Sequence, residues 1–209
     1  NASYEEAIAS VVRPGMSVLE IGAGSGLLSL IAARAGARVH ACESVPQVAE
    51  AARRVVRDNG MDEHISIIPK RSTDLVVGRD LPERADLLIC ELFDVGVFGE
   101  DVLHTLAHAR RELLVHDAPT LPAGVEVWAA PVESAELLSR FKVGRACGFD
   151  LSSFNALADR RPLQVSLGEV EYRLLAPPSI VLEVDFASDV PMAGDRPNTL
   201  RIEQGGRLD

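Results

Sequence analysis

Glu20-Ile21-Gly22-Ala23-Gly24-Ser25-Gly26 follows the apolar run MSVLEI at residues 16–21 and leads into a helical pattern that starts at Leu27. Strand, glycine-rich turn and helix, in that order, form the first half of a βαβ unit. Glycines let the backbone come close to a ligand, and the helix start offers free N–H groups to it. The flanking sequence repeats the rhythm. Residues 3–12 read as a helix and 27–35 as a second, stopped by Gly36. Residues 37–42 (ARVHAC) read as a strand. Residues 45–59 carry apolar side chains at 45, 48, 49, 52, 55 and 56, a helical period closed by Asn59-Gly60. Strands are predicted over 65–68 and 85–90, and a helix over 101–115. The alternation predicts a doubly wound parallel sheet.

The texture changes at Pro119-Thr120-Leu121-Pro122. Beyond it, residues 125–131, 163–167, 170–175 and 180–186 read as strands punctuated by Pro and Gly, with a helical or loop-like stretch over 134–159. Two domains are expected: an α/β domain over 1–118, and an antiparallel sheet or barrel over 119–209. Residues 199–204 alternate like a strand and run into Gly205-Gly206, a hairpin signal. Its partner strand is expected past residue 209, and further helix before residue 1, so the chain reads as a piece of something longer.

Composition narrows the function. The 209 residues are 47% hydrophobic and 25% charged, a globular balance. The net charge of -10 argues against a phosphate-backbone partner, and no nucleic acid is expected. An acidic surface can instead draw in a cation. No apolar run approaches the ~20 residues of a membrane span, so no membrane partner is expected. Cys42, Cys90 and Cys147 are odd in number and far apart, which fits a reducing cytoplasm better than a disulfide framework or a zinc site. His104 and His108 are separated by Thr-Leu-Ala without the glutamate of a zinc helix, and no metal is expected.

The glycines at 22, 24 and 26 are spaced GxGxG. The nicotinamide fingerprint GxGxxG would need a glycine where Leu27 stands. With the acidic Glu20 before it, the segment resembles the cofactor loop of S-adenosylmethionine (SAM) methyltransferases. Glu43 ends the second strand, where an acid in doubly wound folds accepts both hydroxyls of a ribose. The segment Glu91-Leu92-Phe93-Asp94-Val95-Gly96-Val97-Phe98-Gly99-Glu100 follows the fourth predicted strand. Two glutamates nine residues apart across a glycine-containing loop can fold back to face each other. Their mutual repulsion is relieved by a cation between them, and a planar guanidinium takes carboxylates bidentately. The other reading is a pair of solvated loop acids.

Together these residues resemble the protein arginine N-methyltransferases, with the type III, monomethylating branch nearest because Leu92-Phe93-Asp94 follows the first glutamate. The resemblance implies a Rossmann-like SAM-dependent methyltransferase domain followed by a partial antiparallel β-barrel with a helical dimerisation arm at about 136–157. It makes Glu91 and Glu100 the catalytic pair, with Phe93 and Asp94 beside the substrate. It assigns SAM, with S-adenosylhomocysteine as product, to Glu20, Gly22, Ala23, Gly24, Gly26 and Leu27 of the loop. Glu43 and Ser44 would serve the ribose, and Ser72 and Thr73 the adenine. Asn1, Tyr4, Ala7 and Ile8 resemble the end of a cofactor-covering helix. The implied partners are an arginine-containing protein, or free arginine in a variant reading, and a second copy of the chain. A SAM-binding module without turnover is the reading from another class.

Overall fold

The computed structural model describes residues 1–94, 97–99, 101–157 and 164–187. The chain divides into two compact units. The first holds Asn1–Val125 and takes up the chain again from Val184; the second holds Glu126–Glu183.

In the first unit the order is α1 (Ala2–Val11), β1 (Ser17–Ile21), α2 (Leu27–Arg34), β2 (Arg38–Cys42), α3 (Pro46–Asp58), β3 (Ile65–Ile68), β4 (Leu87–Cys90), α4 (Val102–Glu112) and β5 (Thr120–Leu121). The sheet order is β3-β2-β1-β4-β5 and every pairing is parallel. β1 and β4 are buried along their whole length, as strands covered on both faces must be. α3 starts with Pro46, whose fixed φ suits the first helical turn, and lays Ala49, Ala52 and Val56 inward. The chain reverses direction across the sheet between β1 and β4. Loops following those two strands therefore meet at the carboxyl edge, where open α/β sheets bind ligands.

The expected boundary at 118 falls earlier than the division seen here. Thr120 and Leu121 pair with Leu88 and Ile89 as a fifth parallel strand, so the Pro-flanked segment completes the sheet instead of linking two domains.

The second unit carries most of β6 (Gly124–Ala129), then β7 (Val132–Glu133), α5 (Ala135–Phe141), β8 (Arg145–Ala146), β9 (Phe149–Asp150), β10 (Arg173–Leu174) and most of β11 (Ser179–Asp185). β7 pairs antiparallel with β10 and β8 antiparallel with β9, while β6 lies beside β11. Ser134 caps α5 by accepting from the Leu137 N–H at 3.1 Å. One expectation changes. The described part of 163–167 is not a strand, and Leu167–Glu169 forms a single 3-10 turn. Trp128 is 56% exposed, with its indole N–H on Glu126. The expected strand over 199–204 lies outside the described residues.

Candidate functional site

The glycine loop is set by its backbone. The N–H groups of Gly22 and Ala23 both donate to the Cys42 carbonyl at 3.0 Å, which holds the loop against the end of β2. Gly26 caps α2 at φ +81, a conformation that L side chains rarely adopt. A Cβ on Gly22 would lie 2.7 Å from Cδ2 of Leu92. The residue after Glu91 thus packs onto the glycine loop, and two motifs 70 residues apart in sequence form one edge.

Glu43 joins them from β2. One carboxylate oxygen accepts the Gly24 N–H at 3.1 Å and the other accepts the Val45 N–H at 2.9 Å. Its carboxylate is half-buried and stands at the mouth of the glycine loop, with Ser44 exposed beside it. Ala23 is buried at 4% exposure and Leu27, at the start of α2, is 38% exposed. Past β3, Ser72 is buried and Thr73 half-buried in a 3-10 turn over Ser72–Asp74.

Glu20, expected at the cofactor, lies at the end of β1 beneath the glycine loop. It is 2% exposed, and the hydroxyl of Ser29, on the first turns of α2, donates to its carboxylate. Burial pushes its pKa up to about 7, and the nearby Glu43 charge adds to the rise while Ser29 opposes it. Burial likewise pushes the thiols of Cys42 and Cys90 up to about 12, so both are unreactive core groups.

At the end of β4 the Tyr4 hydroxyl donates to the Cys90 carbonyl at 2.9 Å and ties α1 to the strand that leads into Glu91. Burial raises the Tyr4 pKa, and the Glu91 charge raises it further. Glu91 itself is exposed. Phe93 stacks on Phe186 with ring centroids 5.9 Å apart and planes at 9°. Phe186, fully buried, was not marked by its sequence as part of this edge; an apolar residue ending a predicted strand carries no such signal. Asp94 turns back on its own loop: its carboxylate accepts the Gly99 N–H at 3.0 Å and its carbonyl accepts the Val97 N–H at 2.9 Å. Glu100 lies outside the described residues.

Among the described residues no cluster of three or more His, Cys, Asp or Glu side chains could hold a metal, and no helix is long and apolar enough to cross a membrane.

A family model described as ribosomal protein L11 methyltransferase (PrmA) matches residues 5–110. The chain is 38% identical over its full 209 residues to the arginine N(omega)-methyltransferase of Streptomyces achromogenes subsp. streptozoticus, and covers 58% of that protein. It is 31% identical over 217 aligned positions to protein arginine N-methyltransferase 7 of Drosophila grimshawi, spanning 97% of this chain and 31% of the relative. Among solved structures, the Trypanosoma brucei PRMT1 enzyme–prozyme heterotetrameric complex with AdoHcy matches with a TM-score of 0.78 and 26% identity, over 90% of this chain and 58% of that one. The chain therefore spans well under two thirds of the length of these relatives.

Proposed function

The chain belongs to the family described as ribosomal protein L11 methyltransferase (PrmA), whose model matches residues 5–110, and we propose that it is an arginine N-methyltransferase that methylates the guanidino group of arginine in a protein substrate. The observation that carries the proposal is the packing of Leu92 onto Gly22. It brings the loop that begins at Glu91 against the glycine loop.

The residues present suit SAM. A backbone cradle at Gly22, Ala23, Gly24 and Gly26 takes positive φ at all three glycines, and the Glu43 carboxylate beside it suits a ribose diol. Leu27, Ser44, Ser72 and Thr73 complete the set of residues that would hold the nucleoside. Glu20 serves the site through Ser29, by holding α2 under the loop. When bound there, SAM supplies an electrophilic methyl group on a sulfonium centre.

The protein's own task is to prepare the nucleophile. A guanidinium has a pKa above ~12 and a delocalised lone pair, so its nitrogens are poor nucleophiles until charge is drawn elsewhere. Glu91 and Glu100 accept N–H bonds from the guanidinium and hold its positive charge away from the attacking nitrogen. They also fix its orientation, so that most of the rate comes from positioning and electrostatics. Phe93, braced by Phe186, walls the arginine side chain.

The second unit is proposed as part of a substrate-side β-barrel, supported by its antiparallel pairs. Residues 136–157 are proposed as a dimerisation arm. They carry Phe149 at 71%, Phe154 at 67% and Leu157 at 78% exposure, apolar surface suited to a second copy. Three free cysteines support a reducing, cytoplasmic location.

The test is methyl transfer by the intact protein, read by mass spectrometry. The Streptomyces relative is named for arginine and the Drosophila one for protein arginine, so the assay pairs arginine peptides with free L-arginine, and lysine peptides serve as controls. Methylated arginine in the peptide alone supports the proposal. Transfer to free arginine only corrects the substrate. S-adenosylhomocysteine binding without transfer to any arginine overturns the enzyme reading in favour of a binding module.

A further inference from the structure

The chain that follows β3 is closed on itself by one carboxylate. Asp80 Oδ1 accepts from the ammonium of Lys70, just past the end of β3. Asp80 Oδ2 accepts the Val76 N–H at 3.0 Å and two guanidinium N–H groups of Arg79 at 2.9 and 3.2 Å. Lys70 stands before the 3-10 turn Ser72–Asp74, and Val76 and Arg79 stand after it. Asp80 therefore joins the two flanks of that turn. Its side chain is only 10% exposed, which sets these contacts apart from freely solvated surface pairs of negligible worth. The Lys70 ammonium and the Arg79 guanidinium hold its carboxyl down to about 2, so the acid is charged throughout the neutral range. Hydrogen bonds to an ionised acceptor are the stronger kind.

The same loop starts at the cofactor edge. The Ile68 carbonyl, at the end of β3, accepts the Glu43 N–H at 3.0 Å and the Lys70 N–H at 2.9 Å. The acid proposed for the ribose and the first residue of the tie thus hang on one carbonyl. Within the loop Ser72 and Leu75 are buried, and Leu81 is buried directly after Asp80. Packing holds the turn at its apolar side chains, and Asp80 holds it across its neck.

We propose that Asp80 is a positioning residue for the base of the cofactor: by tying Lys70 to Val76 and Arg79 it fixes the turn that presents Ser72 and Thr73 to the adenine. This rests on the reading that Ser72 and Thr73 hold the nucleoside. Asp80 acts through that turn, because both of its carboxylate oxygens are engaged by its own loop.

The experiment uses the intact protein with Asp80→Ala, Asp80→Asn, Lys70→Met and the Asp80→Asn/Lys70→Met double variant. Two ligands are titrated: S-adenosylhomocysteine, and S-ribosylhomocysteine, which keeps the ribose and the amino acid and lacks the base. Exchange of the Val76 amide proton, followed by NMR, reads the tie itself. Asp80→Ala is expected to speed Val76 exchange about 10- to 100-fold, the value of a hydrogen bond to a charged acceptor. It should weaken S-adenosylhomocysteine about 10-fold, roughly one hydrogen bond to the base, and leave S-ribosylhomocysteine within about twofold of the parent. Asp80→Asn keeps an acceptor for Val76 and loses the charge, so Val76 should stay protected while S-adenosylhomocysteine weakens about threefold. Lys70→Met should match it, and the double variant should add nothing further, because the two groups act as one pair.

Equal weakening of both ligands in Asp80→Ala would overturn the proposal and make Asp80 a general prop of the fold. Parent affinities in Asp80→Ala, with Val76 exchange speeded, would overturn it as well. A parent protein that binds S-ribosylhomocysteine as tightly as S-adenosylhomocysteine holds no base; there the reading of Ser72 and Thr73 fails and the proposal falls with it, while Val76 exchange still reports the tie.

Discussion

The two units treat apolar side chains in opposite ways. In the first, Leu19, Leu87, Leu88 and Ile89 are all fully buried and α1 adds Ile8, also at 0% exposure. In the second, Leu175 is fully buried, but Phe149, Phe154 and Leu157 are each more than two thirds exposed. The first unit closes its core with its own strands and helices. The second leaves large apolar side chains on its surface, where the proposed dimerisation arm lies. Stability and cofactor chemistry should therefore answer to changes in the first unit, and association to changes in the second.

The largest effect that would break this contrast is expected at Leu88, in the middle of β4. Leu88→Ala should cost about 4 kcal/mol of stability by urea denaturation, as buried Leu-to-Ala changes do when the site cannot collapse. Glu91→Gln comes next. It should lower kcat on an arginine peptide by about 10²- to 10³-fold, comparable to removing one preorganised electrostatic partner, with the melting temperature unchanged.

Glu20 sharpens the contrast through pH. Its folded pKa, about 7, lies above the ordinary 4.5, so the folded state binds more protons between those values. The sheltered acid is harmless below pH 4.5, and stability falls as pH rises through 7, by about 3 kcal/mol at most. Melting curves from pH 5 to pH 8 should show Glu20→Gln gaining on the parent as pH increases; parallel curves would contradict the burial of a titrating carboxyl. The smallest effect belongs to the second unit. Phe154→Ala should change monomer stability by less than about 0.5 kcal/mol, while sedimentation shows weakened self-association.

Much of the sheet was legible from the sequence because its strands are continuous apolar runs and its helices keep a 3.6-residue period. Residues 65–68 were read to the residue, and β1 and β2 within one position. The glycine turn between β1 and α2 was legible because Gly22, Gly24 and Gly26 all take positive φ there, a conformation that favours glycine. What was not legible depended on partners far away in sequence. Thr120-Leu121 looks like a linker between prolines until Leu88 and Ile89 pair with it. Phe186 becomes part of the site only by meeting Phe93. Asp94 was expected beside the substrate, and only the Gly99 N–H shows where its carboxylate goes. In the second unit the strands are two residues long where β7–β10 pair, too short for alternation to register.

The central claim is that the glycine loop and Glu43 form a nucleoside-binding edge. It is tested most directly by calorimetric titration of S-adenosylhomocysteine into the intact protein and into Glu43→Ala. The account predicts binding by the parent and an affinity about 10- to 100-fold weaker in the variant, the loss of hydrogen bonds to a charged acceptor. Equal affinities in the two proteins would contradict it.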